Sequence, residues 1–99
     1  MIQVGPWQIN RELMLSKVFK DPDSDCWLWL GARGPMGGLG GAKKNNRRQM
    51  TQSNRLVYMC IHLQDIQDFE LVRTCKNKHC VSPDHQELRP NRKRGLHYD

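Results

Sequence analysis

Cys75, Cys80 and His85 stand at even intervals in the stretch LVRTCKNKHCVSPDHQEL, residues 71–88, with four residues between successive members. No other feature restricts the fold as strongly. Thiolate and imidazole are the donors a structural Zn²⁺ prefers, and this spacing lets a tight loop and a following helical turn bring three of them to one point. A tetrahedral site needs a fourth donor. Cys26, in DCWLWLGA, is the leading candidate and would make the metal a staple between two halves of the chain; Cys60 is the second. Two disulfides, or four unrelated cysteines, are the competing arrangement.

The size of the chain makes a metal useful. With 99 residues, 37 % of them hydrophobic, and a mean hydropathy of −0.77, there is room for one domain with a small core, which burial alone would leave marginal. The N-terminal MIQVGPWQINRELMLSK lacks the continuous apolar region and small-residue cleavage site of a secretory signal, and no run approaches membrane-spanning length. The expected setting is therefore an intracellular reducing compartment, the cytoplasm of a host or an organelle matrix. There the chain is neither secreted nor membrane-bound, and free thiolates favour one structural zinc over disulfides.

The net charge of +6 comes mostly from clusters: Lys43-Lys44 with Arg47-Arg48, and Arg89 through Arg94, which includes Arg92 and Lys93. Clustered cations neutralise phosphates and release counterions, so DNA or RNA is the first partner to consider. Solvated faces, an acidic protein surface or an acidic membrane would fit the same charge.

Along the chain, residues 1–9 read as a lead with a Gly5-Pro6 turn, residues 10–94 as the domain and 95–99 as a tail. A helix is expected from Asn10 as N-cap, with Leu13, Met14 and Val18 on one face, ending before Asp21-Pro22. Cys26 to Leu30 reads as a strand whose tryptophans belong to the core. Residues 31–41, GARGPMGGLGG, read as a flexible loop without a phosphate-cradling motif. A basic hairpin should turn at Asn45-Asn46, a finger that could lie along a nucleic-acid backbone. Ser53 should cap a helix to about Leu63, whose Leu56, Cys60, Leu63 stripe makes Cys60 a buried apolar residue rather than a ligand. Leu71 to Arg73 is a short strand, and Ser82-Pro83 opens a helix that carries His85 toward the metal.

Four stretches, KDPDSDCWLWLGA (20–32), GPMGGLG (34–40), NRLVYMC (54–60) and CKNKHCVSPDHQEL (75–88), together resemble the zinc-containing HNH homing endonucleases of phages and mobile introns, in the His-Me finger (ββα-metal) superfamily. The resemblance covers about residues 11–94, in the family's order. It implies an α+β, single-domain, zinc-stabilised His-Me finger module in which Cys26, Cys75, Cys80 and His85 hold one structural zinc.

The same comparison implies departures at the chemistry. The histidine that acts as general base in the family, two residues before the first knuckle cysteine, is replaced by Arg73, and no histidine lies between His62 and His79. Arginine stays protonated and has no lone pair to offer. The family's metal-holding asparagine, nine residues after the zinc histidine, is replaced by Arg94, whose charge repels Mg²⁺. A further family histidine corresponds to Asn54. Arg73 and Arg94 would still attract a phosphodiester, so the expected protein is a nuclease-derived, catalytically inactive nucleic-acid binder, suited to a larger nucleoprotein assembly. Two alternatives stand beside it. One is an active Mg²⁺-dependent nicking enzyme with a rebuilt centre, using His79 or His62 as base and Asn91 as ligand. The other is a protein-binding inhibitor or assembly factor.

Overall fold

The structure, a computed structural model, describes residues 1–35 and 37–90. Asn91, Arg92, Lys93, Arg94 and the expected 95–99 tail therefore lie outside the described residues. The architecture is a small mixture of strands and helices. It runs β1 (Ile2–Val4), β2 (Trp7–Ile9), α1 (Arg11–Ser16), β3 (Val18–Lys20), β4 (Trp27–Trp29), β5 (Arg33–Gly34), β6 (Gly37–Lys44), β7 (Arg47–Gln52), α2 (Ser53–His62), β8 (Phe69–Arg73), a single 3₁₀ turn (Pro83–His85) and β9 (Gln86–Pro90).

Strand β6 is the spine. It pairs antiparallel with β7 from Leu39 to Lys44, with β2 at Lys43 and Lys44, and with β5 at Gly37 and Gly38. Its connection to β7 is the expected tight turn: Asn45 and Asn46 both take positive φ, 52° and 66°, as an asparagine-rich type I′ hairpin demands. Helix α2 follows directly and packs on the β6–β7 sheet, burying Leu56, Val57, Met59 and Cys60 with Trp29, Ile9, Met14 and Val81. Two smaller hairpins, β3–β4 and β8–β9, complete the fold.

Several expectations change here. Residues 1–9 form a hairpin whose second strand joins the main sheet, with Trp7 opposite Lys44, so they belong to the domain. Gly5, at φ 56°, supplies the positive φ that a two-residue turn of this kind needs at its first position. Asn10 does cap α1, accepting from Leu13 N at 3.1 Å, but the helix stops at Ser16 and Val18 begins β3. Val18 pairs with Trp29, so strand pairing wins over the helical stripe.

The glycine run is a strand, not a loop. A Cβ on Gly38 would collide with Ser53 Oγ and Trp29 Cδ1, and one on Gly40 would come within 2.8 Å of Leu56 Cδ1. Gly38 and Gly40 let β6 press against the core, which is a spatial requirement and not a local conformational one. Helix α2 has Gln52 at its N-cap, without a side-chain bond; Ser53 is its first residue. Leu63, in the left-handed region, closes it and stays 60 % exposed instead of completing the stripe. After Ser82 the expected helix is one 3₁₀ turn, and the chain then pairs as β9 with β8.

Candidate metal centre

The knuckle loop is built by short-range bonds. Asn77 accepts from His79 N through its side chain (3.0 Å) and from Cys80 N through its carbonyl (3.0 Å), while Lys76 takes φ 62° to tighten the bend. Ser82 O accepts from His85 N at 3.1 Å with Pro83 opening the turn, and Thr74 N donates to His85 O at 2.9 Å, so both ends of the loop meet. These bonds bring Cys75, Cys80 and His85 to one side.

Cys26 reaches them through a different element. Asp21 folds the preceding turn, accepting from Asp23 N (3.0 Å) and Ser24 Oγ (2.8 Å), and Asp21 N donates to Cys26 O at 2.8 Å. From there β4 bonds to the knuckle: Trp29 N donates to His79 O at 3.0 Å, and Val81 N donates to Trp27 O at 2.7 Å. Cys26 is thereby held opposite the loop.

The four donor atoms of Cys26, Cys75, Cys80 and His85 all lie within 4.8 Å of one another. His85 Nδ1 is 3.6 Å from Cys26 Sγ and 3.4 Å from Cys80 Sγ. In a tetrahedral site with Zn–S near ~2.3 Å and Zn–N near ~2.0 Å, the N···S edge is about 3.5 Å. The donors are thus close enough for one metal ion, and no disulfide joins the four cysteines. Burial pushes the Cys80 thiol up to about 12, so ionising it inside the fold calls for a cation. Cys60, the second candidate for the fourth ligand, sits on the core-facing side of α2, its thiol pushed up to about 11 by burial and lowered less strongly by Arg11.

A buried polar relay supports the centre. Cys80 O accepts from Arg73 Nε at 3.1 Å and from Gln86 Nε2 at 3.2 Å, and Gln86 Oε1 accepts from Asn54 Nδ2 at 3.1 Å. Asn54 therefore ties α2 to the knuckle through Gln86. Sequence reasoning missed Gln86, because only the pairing of β9 with β8 carries it inward. Arg73 closes β8 half-buried. Desolvation lowers its pKa, while the sulfurs of Cys80 and Cys75 raise it.

The remaining candidates are dispersed. His79 lies half-buried on the knuckle, its pKa lowered by desolvation and by Arg33, Lys78 and Arg73; its Nδ1 has no hydrogen-bond partner among the described residues. Arg33, also missed, sits in β5 and donates to Trp29 O at 3.0 Å. His62 ends α2 with its ring against Tyr58, centroids 4.4 Å apart. Lys43, Lys44, Arg47 and Arg48 gather at the β6–β7 tip, where cross-strand partners carry like charge: Lys43 faces Arg48, and Lys44 faces Arg47. Among the described residues no acidic side chain forms an ion pair with any of the four; Lys44 Nζ rests 5.5 Å from the centre of a Trp7 ring. An open cleft of about 570 Å³ beside His85 is lined partly by Asp21, Asp25 and Asp84, which makes it a poor seat for phosphate.

No helix among the described residues is long and apolar enough to cross a membrane. Comparison with known protein families, with curated proteins and with solved structures gave no match.

Proposed function

We propose that the chain is a zinc-stabilised nucleic-acid-binding module on an HNH-type, His-Me finger scaffold that lacks its catalytic pair. The observation that carries the reading is the β6–β7 tip, where four cations face one another in cross-strand pairs without acidic partners among the described residues. Like charges set directly opposite destabilise a hairpin, and a polyphosphate threaded along the tip would relieve that repulsion.

Three thiolates and an imidazole form a soft, closed donor set that suits zinc and leaves no open position for a substrate, so the metal holds structure. The β8–β9 hairpin around the knuckle supports the paired strands of a ββα unit. Arg73 stands where the scaffold would place its base and can take no proton. Either DNA or RNA satisfies the chemistry of the tip, alone or within a larger assembly.

The test is binding of zinc-loaded protein to random-sequence DNA and RNA across a range of salt. The expected affinity is on the order of micromolar or tighter, with the logarithm of affinity falling linearly against the logarithm of salt. Replacing Lys43, Lys44, Arg47 and Arg48 together by glutamine should flatten that slope, by about one for each phosphate that is no longer neutralised. No salt-dependent binding to either polymer would overturn the reading in favour of a protein partner. Supercoiled plasmid with Mg²⁺ or Mn²⁺ should stay intact; metal-dependent nicking would refute inactivity and direct attention to His79.

A further inference from the structure

We propose that Arg73 is the internal counter-ion of the metal–thiolate centre, a positioning residue for its ligands and not a contact for external phosphate. The inference goes beyond nucleic-acid binding and rests on the metal reading of Cys26, Cys75, Cys80 and His85. Three thiolates and a neutral imidazole around a divalent cation leave a formal excess of about one negative charge. In a site whose Cys26 and Cys80 are buried, that excess has to be matched by a nearby cation or donor.

Arg73 is placed for this. It lies two residues before Cys75, and its Nε donates to the carbonyl of Cys80 at 3.1 Å, so the guanidinium is tied to the backbone of a sulfur ligand. Its Nη2 is buried and without a hydrogen-bond partner among the described residues. That nitrogen is roofed by Gly37, whose added Cβ would stand 3.2 Å from it and would collide with the Lys78 carbonyl. Gly37, at φ 115°, is thus fitted to the roof by both conformation and space. Buried in this way, Nη2 is not presented to a phosphate outside. The relay from Asn54 through Gln86 converges on the same Cys80 carbonyl, so the Cys80 ligand is oriented from both sides.

The experiment is competition for Co²⁺ and Zn²⁺ between the reduced full-length chain and a chromophoric chelator, with the sulfur-to-cobalt charge-transfer band as a second readout. Wild type should take up one equivalent; if it takes up none, the metal reading and this inference fall together. Arg73→Gln should bind metal about 10–100-fold more weakly, as removal of an outer partner of a ligand does, with a shifted charge-transfer band. Arg73→Lys, which keeps the charge, should recover most of the affinity. The exposed neighbour Lys78→Gln should match wild type. Wild-type affinity in Arg73→Gln, or an equal loss in Lys78→Gln, would overturn the proposal while leaving the metal site standing. Where Arg73→Gln does not fold, Arg73→Lys decides: retained affinity supports the counter-ion, and loosening beyond about 10-fold refutes it. The salt slope for DNA binding should be the same in Arg73→Lys, Arg73→Gln and wild type; a drop of about one in Arg73→Gln would make Arg73 a phosphate contact and sink the idea.

Discussion

Two cysteines of the same intrinsic chemistry have opposite fates here. Cys26 and Cys60 are both buried, yet Cys26 faces two other sulfurs and an imidazole, while Cys60 faces Leu56 and its neighbours in the core. Cys26→Ser should therefore lose the bound equivalent of metal, and Cys60→Ala should keep it, as read by metal analysis of the purified proteins. Cys60 also carries a pH signature. Its thiol is held at about 11 in the fold against an ordinary 9.0, so the neutral form is favoured by folding. A group whose folded pKa is raised contributes stability that is complete below the unfolded pKa and is lost as pH climbs through the folded one. Urea midpoints taken at about pH 8 and about pH 10 should fall more for wild type than for Cys60→Ala. An identical fall in both would remove Cys60 as the cause.

Strand β6 shows how an element can be hidden by its own composition. Glycine has poor strand propensity, and a run of it reads as loop unless the crowding neighbours are known; Trp29 and Leu56, which supply the crowding, are distant in sequence. The prediction at this scale is an order. Gly38→Ala should lower the denaturation midpoint most, at about 1–3 kcal/mol or more, because its new methyl meets the wedged indole of Trp29. Gly40→Ala should cost less, since the yielding atom is the end of Leu56, and Gly41→Ala least, since it meets only the side chains of Arg48 and Met50, both exposed. A midpoint for Gly41→Ala below that of Gly38→Ala would refute the packing account. Elements specified locally were legible: the Asn45-Asn46 turn, the Asn10 cap, the Cys75, Cys80, His85 spacing and the apolar face that claims Cys60. Those specified by partners were not: the N-terminal hairpin exists because β6 receives it, α1 is short because Val18 pairs with Trp29, and the turn after Ser82 ends because β8 recruits Gln86. The same division runs through the centre, where Cys75, Cys80 and His85 could be read from spacing, while the choice of Cys26 over Cys60 and the Arg73–Cys80–Gln86–Asn54 relay needed the fold.

For the whole molecule, a metal held by Cys26, Cys75, Cys80 and His85 would join the β3–β4 hairpin to the β8–β9 hairpin, and both lie against the core that α2 and the main sheet enclose. Chelation should lower the thermal midpoint on the order of 10 °C or more, and added Zn²⁺ should restore it, because metal affinity is folding free energy in a domain this small. A midpoint indifferent to chelator would show that the core stands without the staple. The placement of the ligands along the chain also sets a schedule. Cys75, Cys80 and His85 fall within eleven consecutive residues, whereas Cys26 precedes Cys75 by 49. Three donors can be gathered by a local bend at little loop-closure cost, and only the fourth must close a long loop. On a ribosome, Cys26 would emerge 49 residues ahead of Cys75, and wait as an unclaimed thiol until the knuckle follows. Maturation of this protein is then gated by the knuckle, and a nascent chain halted just before His85 would have synthesised its buried core and still lack its clasp.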